Sequence, residues 1–281
     1  MEISSSHLNF RISLVEIEEL KPHEEVVDSI VKSLASDMQC EGKVRDPIIV
    51  DQVEYVILDG MHRFSALRSL NCRFVPCCLL DYDSSLVKVG SWFRLFQVEH
   101  AEPVAEELLV EADLKYSKQH VDLESMAYQA DTVILVEGDL AFSMDQPLDP
   151  LEHARTAVRL EKAMVKRGYK VNYLSEMDAI GNLRSRTVSL AISLPVFSKR
   201  QIREFGLSGR LLPHKVTRHV IPSRPLGIDV PTALLHDPAI SGVEAERKLG
   251  DLLAARHVER KPRGSTVGGR RYEEELLVFS S

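Results

Sequence analysis

Short apolar runs alternate with amphipathic segments along the first 80 residues. SLVEIEEL, PIIVDQ, EYVILD and RFVPCCLLDY are apolar and rich in β-branched residues, and therefore predict strands. A first helix is predicted from apolar residues at helical spacing, namely Val27, Ile30, Val31, Leu34 and Met38. HRFSALRSL predicts a second helix with the apolar residues Phe64, Leu67 and Leu70. This order of elements predicts an α+β fold in which helices pack against a mixed sheet.

The rest of the chain predicts a second α+β subdomain and a basic C-terminal part. VAEELLVEADL and LEHARTAVRLEKAMVKRG are helical in pattern, and DTVILVEGDLAFSM is typical of a hairpin. LLPHKVTRHVIPSRP is expected to be an ordered loop, ISGVEAERKLGDLLAARHVERK a terminal helix and RKPRGSTVGGRR a mobile segment. We therefore divide the chain into a core (1–100), the subdomain (101–196), a basic active-site loop region that returns to the core (197–235) and the terminal helix with its tail (236–281).

Charge is distributed unevenly along the 281 residues. The formal net charge is −7, but residues 197–281 contain 15 Lys and Arg against 10 Asp and Glu, so the preceding part carries about −12. An acidic body is a poor electrostatic partner for duplex DNA. The basic C-terminal part favours a small polyanion instead.

Several protein classes are disfavoured by what the sequence lacks. The four cysteines include no CxxC pair and are interpreted as small buried hydrophobic residues, without a disulfide framework. No apolar run is long enough to cross a bilayer, and the first residues lack the features of a secretory signal, so a cytoplasmic location is expected. The absence of GxxxxGK[ST] excludes a P-loop kinase.

The stretch ILDGMHRF places polar residues where a buried strand passes directly into a helix. Gly60 allows a close approach to the main chain, and the helix that follows offers amide groups and a partial positive charge to an anion. His62 and Arg63 add donors suited to phosphate. Asp59 would repel phosphate and so needs a cation, an ammonium group or a hydroxyl as its partner. The structural alternative is that Asp59 caps the helix and Arg63 pairs with an acidic residue.

Three further stretches carry candidate chemistry. LKPHEEV contains Glu24 in a context that also starts helices, and Val27 excludes the HExxH zinc pattern. DYDSSLVKVGSW contains Lys88 and the single tryptophan, Trp92, which could equally be a core residue. PHKVTRHVIP is either a solvated basic loop or a shaped binding loop, with four polar residues in five positions: Lys215, Thr217, Arg218 and His219.

In this order, LKPHEEV, DGMHR, VKVGSW and PHKVTRHVIP resemble the free L-serine kinases of the ParB/sulfiredoxin-like superfamily, over about residues 12–230. The resemblance implies a ParB/sulfiredoxin-like mixed sheet with packed helices and an inserted α+β subdomain. It implies phosphoryl transfer from ADP or ATP to the hydroxyl of free L-serine, with Mg²⁺ held mainly by nucleotide phosphates and water. The implied partners are small molecules, with neither nucleic acid nor membrane; the choice of nucleotide, the physiological pathway and the oligomeric state stay open.

The resemblance also implies roles for individual residues. Glu24 matches the general base for the serine hydroxyl, and Asp59 matches the aspartate required at the corner. The implied phosphate-binding residues are Gly60, Met61, His62 and Arg63. The implied substrate-binding residues are Lys88, Trp92, Lys215, Thr217, Arg218 and His219.

Two departures from the family and two rival functions complete the prediction. Met61 stands where archaeal members carry a second histidine, and the tail after Ile228 is longer than expected. A sulfiredoxin is disfavoured because Met61 cannot form the thiolate that its chemistry needs. The alternative is a ParB-like nucleotide-dependent DNA-binding or regulatory protein without serine turnover. The kinase hypothesis requires Glu24 to lie beside the Asp59–Arg63 corner.

Overall fold

The computed structural model describes residues 2–4, 9–123, 133–136, 139–145 and 148–280. The chain divides into two compact units. The first comprises Met1–Lys88, Lys199–Leu211 and His219–Ser281, and the second comprises Val89–Ser198 and Leu212–Arg218. Each unit thus contains sequence from both halves of the chain, with boundaries that differ from those expected from the sequence.

A five-stranded mixed sheet forms the centre of the first unit. Its strands, in spatial order, are β1 (Glu2–Ser4), β2 (Asn9–Glu16), β6 (Phe74–Leu80), β4 (Ile48–Asp51) and β5 (Ile57–Asp59). The β4–β6 pair is parallel and the other pairs are antiparallel. All residues of β4 and β6 are buried, which explains their continuous apolar sequences. The predicted strands PIIVDQ, EYVILD and RFVPCCLLDY are confirmed, as is the burial of Cys77 and Cys78.

Helices α1 (Asp28–Glu41) and α2 (Met61–Ser69) complete the predicted order of elements and pack against each other. The apolar face predicted for α1 is wrong at its start, because Val27 precedes the helix and Ile30 is 43% exposed, whereas Met38 is buried. SLVEIEEL is also only partly a strand. β2 ends at Glu16, and Ile17–Glu19 forms a 3-10 turn.

The second unit contains a six-stranded antiparallel sheet. Its spatial order is β12 (Asn172–Leu174), β8 (Phe93–Phe96), β13 (Leu190–Ile192), β10 (Val133–Val136), β11 (Leu140–Met144) and β9 (Tyr116–His120). The predicted hairpin is confirmed by the β10–β11 pairing, although Asp131, Thr132, Glu137 and Gly138 lie outside the described residues.

Among the described residues of the second unit, three helices accompany this sheet. They are α3 (Ala101–Glu111), α4 (Pro150–Lys166) and α5 (Glu176–Arg184), and the first two confirm the predicted helices. Asp149 caps α4 by accepting from Leu151 N–H and Glu152 N–H, and Pro150 occupies the first helical position. Local capping signals therefore fix the start of this helix.

The C-terminal part contains more strand than the sequence predicts. The expected loop LLPHKVTRHVIPSRP includes β14 (Thr217–Val220) and β15 (Ser223–Leu226). The terminal helix, Gly242–Ala254, is shorter than predicted, and β17 (His257–Lys261) and β20 (Glu275–Ser280) follow it. In the expected mobile segment, β18 (Thr266–Val267) pairs with β19 (Arg270–Arg271).

The tail was misread because the sheet that it forms has little local sequence signal. β20 pairs with β15 on one side and with β17 on the other. β20 buries Leu276, Leu277 and Phe279, whereas no residue of β17 is fully buried. An exposed edge strand needs no apolar alternation, so HVERK did not predict one.

The remaining described elements are short or helical. They are β3 (Lys43–Val44), β7 (Lys88–Ser91), β16 (Val230–Pro231) and the helices Lys199–Ser208 and Thr232–His236. Across the described ranges, no helix combines the length and the apolar character needed to cross a membrane.

We expect Gly60→Ala to lower the free energy of unfolding by about 2–4 kcal/mol, because strain at positive φ adds to overpacking. Gly60 has φ +101°, and an added Cβ would lie 2.6 Å from Ile48 Cγ2. Gly42→Ala is the matched control, since Gly42 also has positive φ (+65°) but open space around the added carbon. It should cost about 1 kcal/mol. Urea unfolding measures both; equal losses would contradict the role of the Ile48 contact.

Candidate active site

The strand-to-helix corner at Gly60 presents main-chain amides suited to an anion. Gly60 is the N-cap of α2, and Phe64 N–H donates to the Gly60 carbonyl at 2.9 Å. Helical bonding therefore begins at Phe64, and the amides of Met61, His62 and Arg63 lie in the first turn of the helix, where amides can face an anion. The Met61 side chain is buried, so its contribution to a phosphate site is its backbone amide.

The loop that carries Glu24 is fixed to this corner on both sides. His23 is buried, and its Nδ1 lies 2.7 Å from the Ile57 carbonyl oxygen in β5. Val27 N–H donates to Nε2 of His62 at 3.1 Å. Glu24 lies between these two anchors and is partly exposed. The backbone on either side of Glu24 is therefore bonded to β5 and to α2, and the position of its carboxylate beside the Asp59–Arg63 corner stays a prediction.

Asp59 is held by two arginines instead of capping the helix. Oδ2 of Asp59 accepts from Nη1 of Arg224 and lies 3.5 Å from Nη2 of Arg63. Arg224 is buried and also donates from Nε to Glu274 at 2.6 Å. Burial raises the pKa of Asp59, but the charges of Arg224 and Arg63 outweigh this effect and hold its pKa well below the ordinary value. Asp59 is therefore a carboxylate across the physiological pH range.

Arg63 is also bound to the main chain of the two residues just before β4. Its Nη1 donates to the carbonyls of Asp46 at 3.2 Å and Pro47 at 2.8 Å. The structural alternative given for Arg63, pairing with an acidic residue, is thus what this structure contains, with Asp59 as the acid. These bonds fix the guanidinium at the corner, where its charge contributes to an anion site.

In the second unit, two cations lie against the face of Trp92. Lys215 Nζ is 4.1 Å from the ring centroid and Arg218 Cζ is 5.9 Å from it. Arg218 also donates to Glu176 at 2.9 Å, and Glu176 accepts from the amide of Ser91 at 2.6 Å. Glu176 is 1% exposed, so Arg218 neutralises a buried charge.

The position of the His214–Lys215 segment depends on the buried Arg94. This guanidinium donates to the carbonyls of His214 and Lys215, both at 3.2 Å, and to the carboxylate of Glu161 at 2.6 Å. Lys215 adopts φ +60°, a left-handed conformation that is strained for a residue with a side chain. The bonds to Arg94 explain how the loop sustains this conformation.

The remaining predicted residues have different environments. Thr217 is buried, Lys88 is exposed, and His219 bonds through Nε2 to the Tyr82 hydroxyl at 2.8 Å. The first unit therefore groups Glu24 and His219 with the corner residues 59–63, and it also contains Lys88. The second unit groups four predicted residues: Trp92, Lys215, Thr217 and Arg218.

Sequence reasoning missed several residues that organise these two groups: Tyr82, Arg94, Glu176, Arg224 and Glu274. Arg224 lay in a segment interpreted as a loop, and its bond to Asp59 spans 165 positions. Gly90 offered a faint signal for Glu176, because an added Cβ there would lie 2.0 Å from Oε1 of Glu176. No motif identifies such long-range pairs.

The sequence of this chain is similar to those of several curated proteins. No family model matches the chain. A curated ATP-dependent L-serine kinase from Desulfurococcus mucosus aligns over 222 residues at 26% identity, covering 75% of this chain and 86% of the relative. An ADP-dependent L-serine kinase from Thermococcus kodakarensis aligns over 221 residues at 25% identity, covering 77% and 89%. A "ParB-like protein" from Sulfolobus acidocaldarius aligns over 213 residues at 28% identity, covering 75% and 92%.

Solved structures show the same fold. A free serine kinase with a glutamate-to-glutamine replacement, in complex with AMP, superposes with a TM-score of 0.68 at 23% identity, covering 83% of this chain and 96% of that one. C-terminally truncated SbnI from Staphylococcus aureus superposes with a TM-score of 0.68 at 20% identity, covering 86% and 95%. These likenesses confirm the predicted α+β architecture.

We expect Asp59→Asn to be less stable than the wild type at pH 7, by about 1–3 kcal/mol, because Arg224 and Arg63 lose the charge of a half-exposed partner. The lowered pKa of Asp59 supplies stability above the ordinary value of 3.8, and this stability declines as the pH falls below 3.8. The difference between the two proteins should therefore be smaller at pH 3 than at pH 7.

Urea unfolding at several pH values measures this difference. Asp37→Asn is the control for loss of a carboxylate, since Asp37 is exposed on α1 of the same unit. This control should change the unfolding free energy by less than about 0.5 kcal/mol. A gap between wild type and Asp59→Asn that is constant from pH 7 to pH 3 would contradict the ion pair.

Proposed function

This chain belongs to the free serine kinase family, and we propose on that premise that it transfers a phosphoryl group from ADP or ATP to the hydroxyl of free L-serine. The single observation in the fold that carries the proposal is the anchoring of Glu24 beside the amides of α2. Phosphoryl transfer asks a protein mainly for positioning and charge stabilisation, and both are present at this corner.

Glu24 is proposed as the general base. A carboxylate within hydrogen-bond reach of the serine hydroxyl takes its proton as the new P–O bond forms. The bond of His23 to Ile57 and that of Val27 to His62 restrict the loop on either side of Glu24. Partial exposure of Glu24 leaves its carboxylate accessible to a small substrate.

The phosphates are proposed to bind at the start of α2. The amides of Met61, His62 and Arg63 lie in its first turn, where the helix dipole favours an anion. Arg63 contributes positive charge from a position fixed by the carbonyls of Asp46 and Pro47. Asp59, in its bonds to two arginines, is proposed to orient this corner and the substrate ammonium group or hydroxyl.

The serine and its phosphate are proposed to contact the predicted substrate-binding residues. In the second unit, Lys215 and Arg218 offer positive charge against the face of Trp92. Thr217, Lys88 and His219 complete the proposed set.

Magnesium is proposed to arrive with the nucleotide. Among the residues that the structure describes, no group of three His, Cys, Asp or Glu side chains could hold a metal ion. The described side chains therefore do not fit a protein-only Mg²⁺ cage. Mg²⁺ commonly keeps several waters and binds substrate phosphates, whose charge it neutralises.

The direct test of the proposal is incubation with L-serine, Mg²⁺ and either ADP or ATP, followed by phosphorus NMR. We expect O-phospho-L-serine to form with at least one nucleotide. Glu24→Gln should lower kcat by about 10²–10⁴-fold, since the general base is lost, while nucleotide affinity stays within about twofold.

Glu25→Gln is the matched control for this variant, because Glu25 is adjacent and exposed. It should retain the rate of the wild type. Absence of phosphoserine with both nucleotides would refute the kinase proposal. A Glu24→Gln variant as active as Glu25→Gln would refute only the role of Glu24.

A second candidate function is a ParB-like nucleotide-dependent DNA-binding or regulatory protein, which is favoured by the 28% identical relative with that name. The net charge of −7 disfavours a duplex DNA partner. We therefore expect no retention on a duplex DNA column at low salt, with or without nucleotide. Tight, salt-sensitive retention together with absent serine turnover would support the second function instead.

A further inference from the structure

A buried histidine of the proposed substrate-binding set forms a hydrogen-bonded pair with a tyrosine of the first unit to which no role has been given. His219, in β14, places Nε2 2.8 Å from the hydroxyl of Tyr82. The two ring centroids are 5.5 Å apart, and the His23 ring meets His219 edge-on at 5.6 Å. The hydrogen bond to Tyr82 and the packing against the rings of Tyr82 and His23 therefore position His219.

The second nitrogen of His219 has an unusual environment. Nδ1 is buried, and within the described part of the chain it has no hydrogen bond of ordinary distance and angle, although a backbone hydrogen bond with Leu58 outside those limits raises the pKa of the ring. A buried polar atom that lacks a partner is uncommon and requires an explanation. A ligand oxygen at Nδ1 would satisfy it.

The proton arrangement of the pair follows from the surrounding charges. Burial, together with the neighbouring His23, lowers the pKa of His219 to about 3. The ring is therefore neutral at pH 7 and carries one proton. Lys199 Nζ lies 5.3 Å and Arg203 Cζ 5.2 Å from the centroid of the Tyr82 ring. Cations against the ring withdraw electron density and make the hydroxyl a better donor. With these cations against its ring, Tyr82 is the favoured donor to Nε2, an arrangement that places the proton of His219 on Nδ1.

The hydrogen-bond partner of the neighbouring histidine, His23, also determines which of its ring nitrogens carries the proton. Nδ1 of His23 faces the carbonyl oxygen of Ile57, which can only accept, so Nδ1 of His23 is the protonated nitrogen. Burial lowers the pKa of His23 to about 4, which keeps this ring neutral as well. Two neutral rings can pack edge-on without charge repulsion. His23, Lys199 and the more distant Asp59 act on His219, and Arg203, Asp51 and Asp83 act on Tyr82.

We propose that Tyr82 is a positioning residue that fixes the tautomer of His219, so that Nδ1–H donates a hydrogen bond to an anionic oxygen of the substrate or of its phosphoryl group. This inference rests on the proposed serine kinase function and adds to it a residue that does not itself touch the substrate. Replacing the hydroxyl of Tyr82 leaves the ring packing intact but removes the donor to Nε2.

The first test measures the tautomer directly and needs no activity. Nitrogen-15 NMR of labelled histidine, with His219 assigned from the His219→Asn variant, reports which ring nitrogen carries the proton. We expect Nδ1–H in the wild type and a mixture or Nε2–H in Tyr82→Phe. Nε2–H in the wild type, or an unchanged spectrum in Tyr82→Phe, would overturn the proposal.

The second test is kinetic. Tyr82→Phe should lower kcat/KM for serine by about tenfold, the effect of one misplaced hydrogen bond. In the His219→Asn background the same replacement should change kcat/KM by less than about twofold, because an amide donor needs no tautomer selection. Tyr116→Phe, a half-buried tyrosine that packs against Phe142 in the second unit, is the control for loss of a hydroxyl and should behave as the wild type.

The two tests separate the possible failures. A wild type that produces no phosphoserine refutes the proposed function, while the nitrogen-15 spectrum still decides the tautomer. An active Tyr82→Phe with the kcat/KM of the wild type refutes the role of Tyr82 even if the kinase function holds. An equal loss in the wild-type and His219→Asn backgrounds would show a general structural effect and would also overturn the proposal.

Discussion

The hydrogen bond from buried His23 to the carbonyl of Ile57 is the constraint on which the first unit's candidate site depends. Without it, the segment before α1 would be an ordinary surface loop, and the backbone around Glu24 would have no fixed relation to the first turn of α2. The bond from Val27 to His62 closes the other side of the same loop. The position of a general base matters more than its basicity, because a small misplacement of the base reduces the reaction rate strongly.

Charge pairing positions side chains in both units, and in each case a buried or half-buried ion has more than one partner. Arg224 joins Asp59 to Glu274, and Arg94 joins Glu161 to two carbonyls of the His214–Lys215 segment. Burying single ions in this way adds little stability on balance, since desolvation offsets the attraction. The pairs instead fix the orientation of the side chains. Each guanidinium holds several groups in one arrangement, which suits a site that stabilises a transition state without rearrangement.

The sequence predicted most of the local structure of the core and the region of the candidate site. Strands β4, β5 and β6 are uninterrupted apolar runs, and the corner DGMHR carries its own signal, because a glycine, donors and a helix start occur together. The tail was predicted poorly, since β17 is an exposed edge strand whose pairing with β20 leaves no periodic pattern in HVERK. Edge strands are specified by their neighbours, which a local pattern does not include.

By itself, the sequence determined which elements form and which chemical groups lie at the β5–α2 corner, because both depend on residues close together in the chain. Only the tertiary structure decided the partners of those groups. Asp59 meets Arg224 across 165 positions, and Tyr82 meets His219 across 137. The physical reason is that an ion pair or a hydrogen bond needs two groups in contact. Folding brings these groups together from distant segments, and the sequence of one segment does not predict its partner in the other.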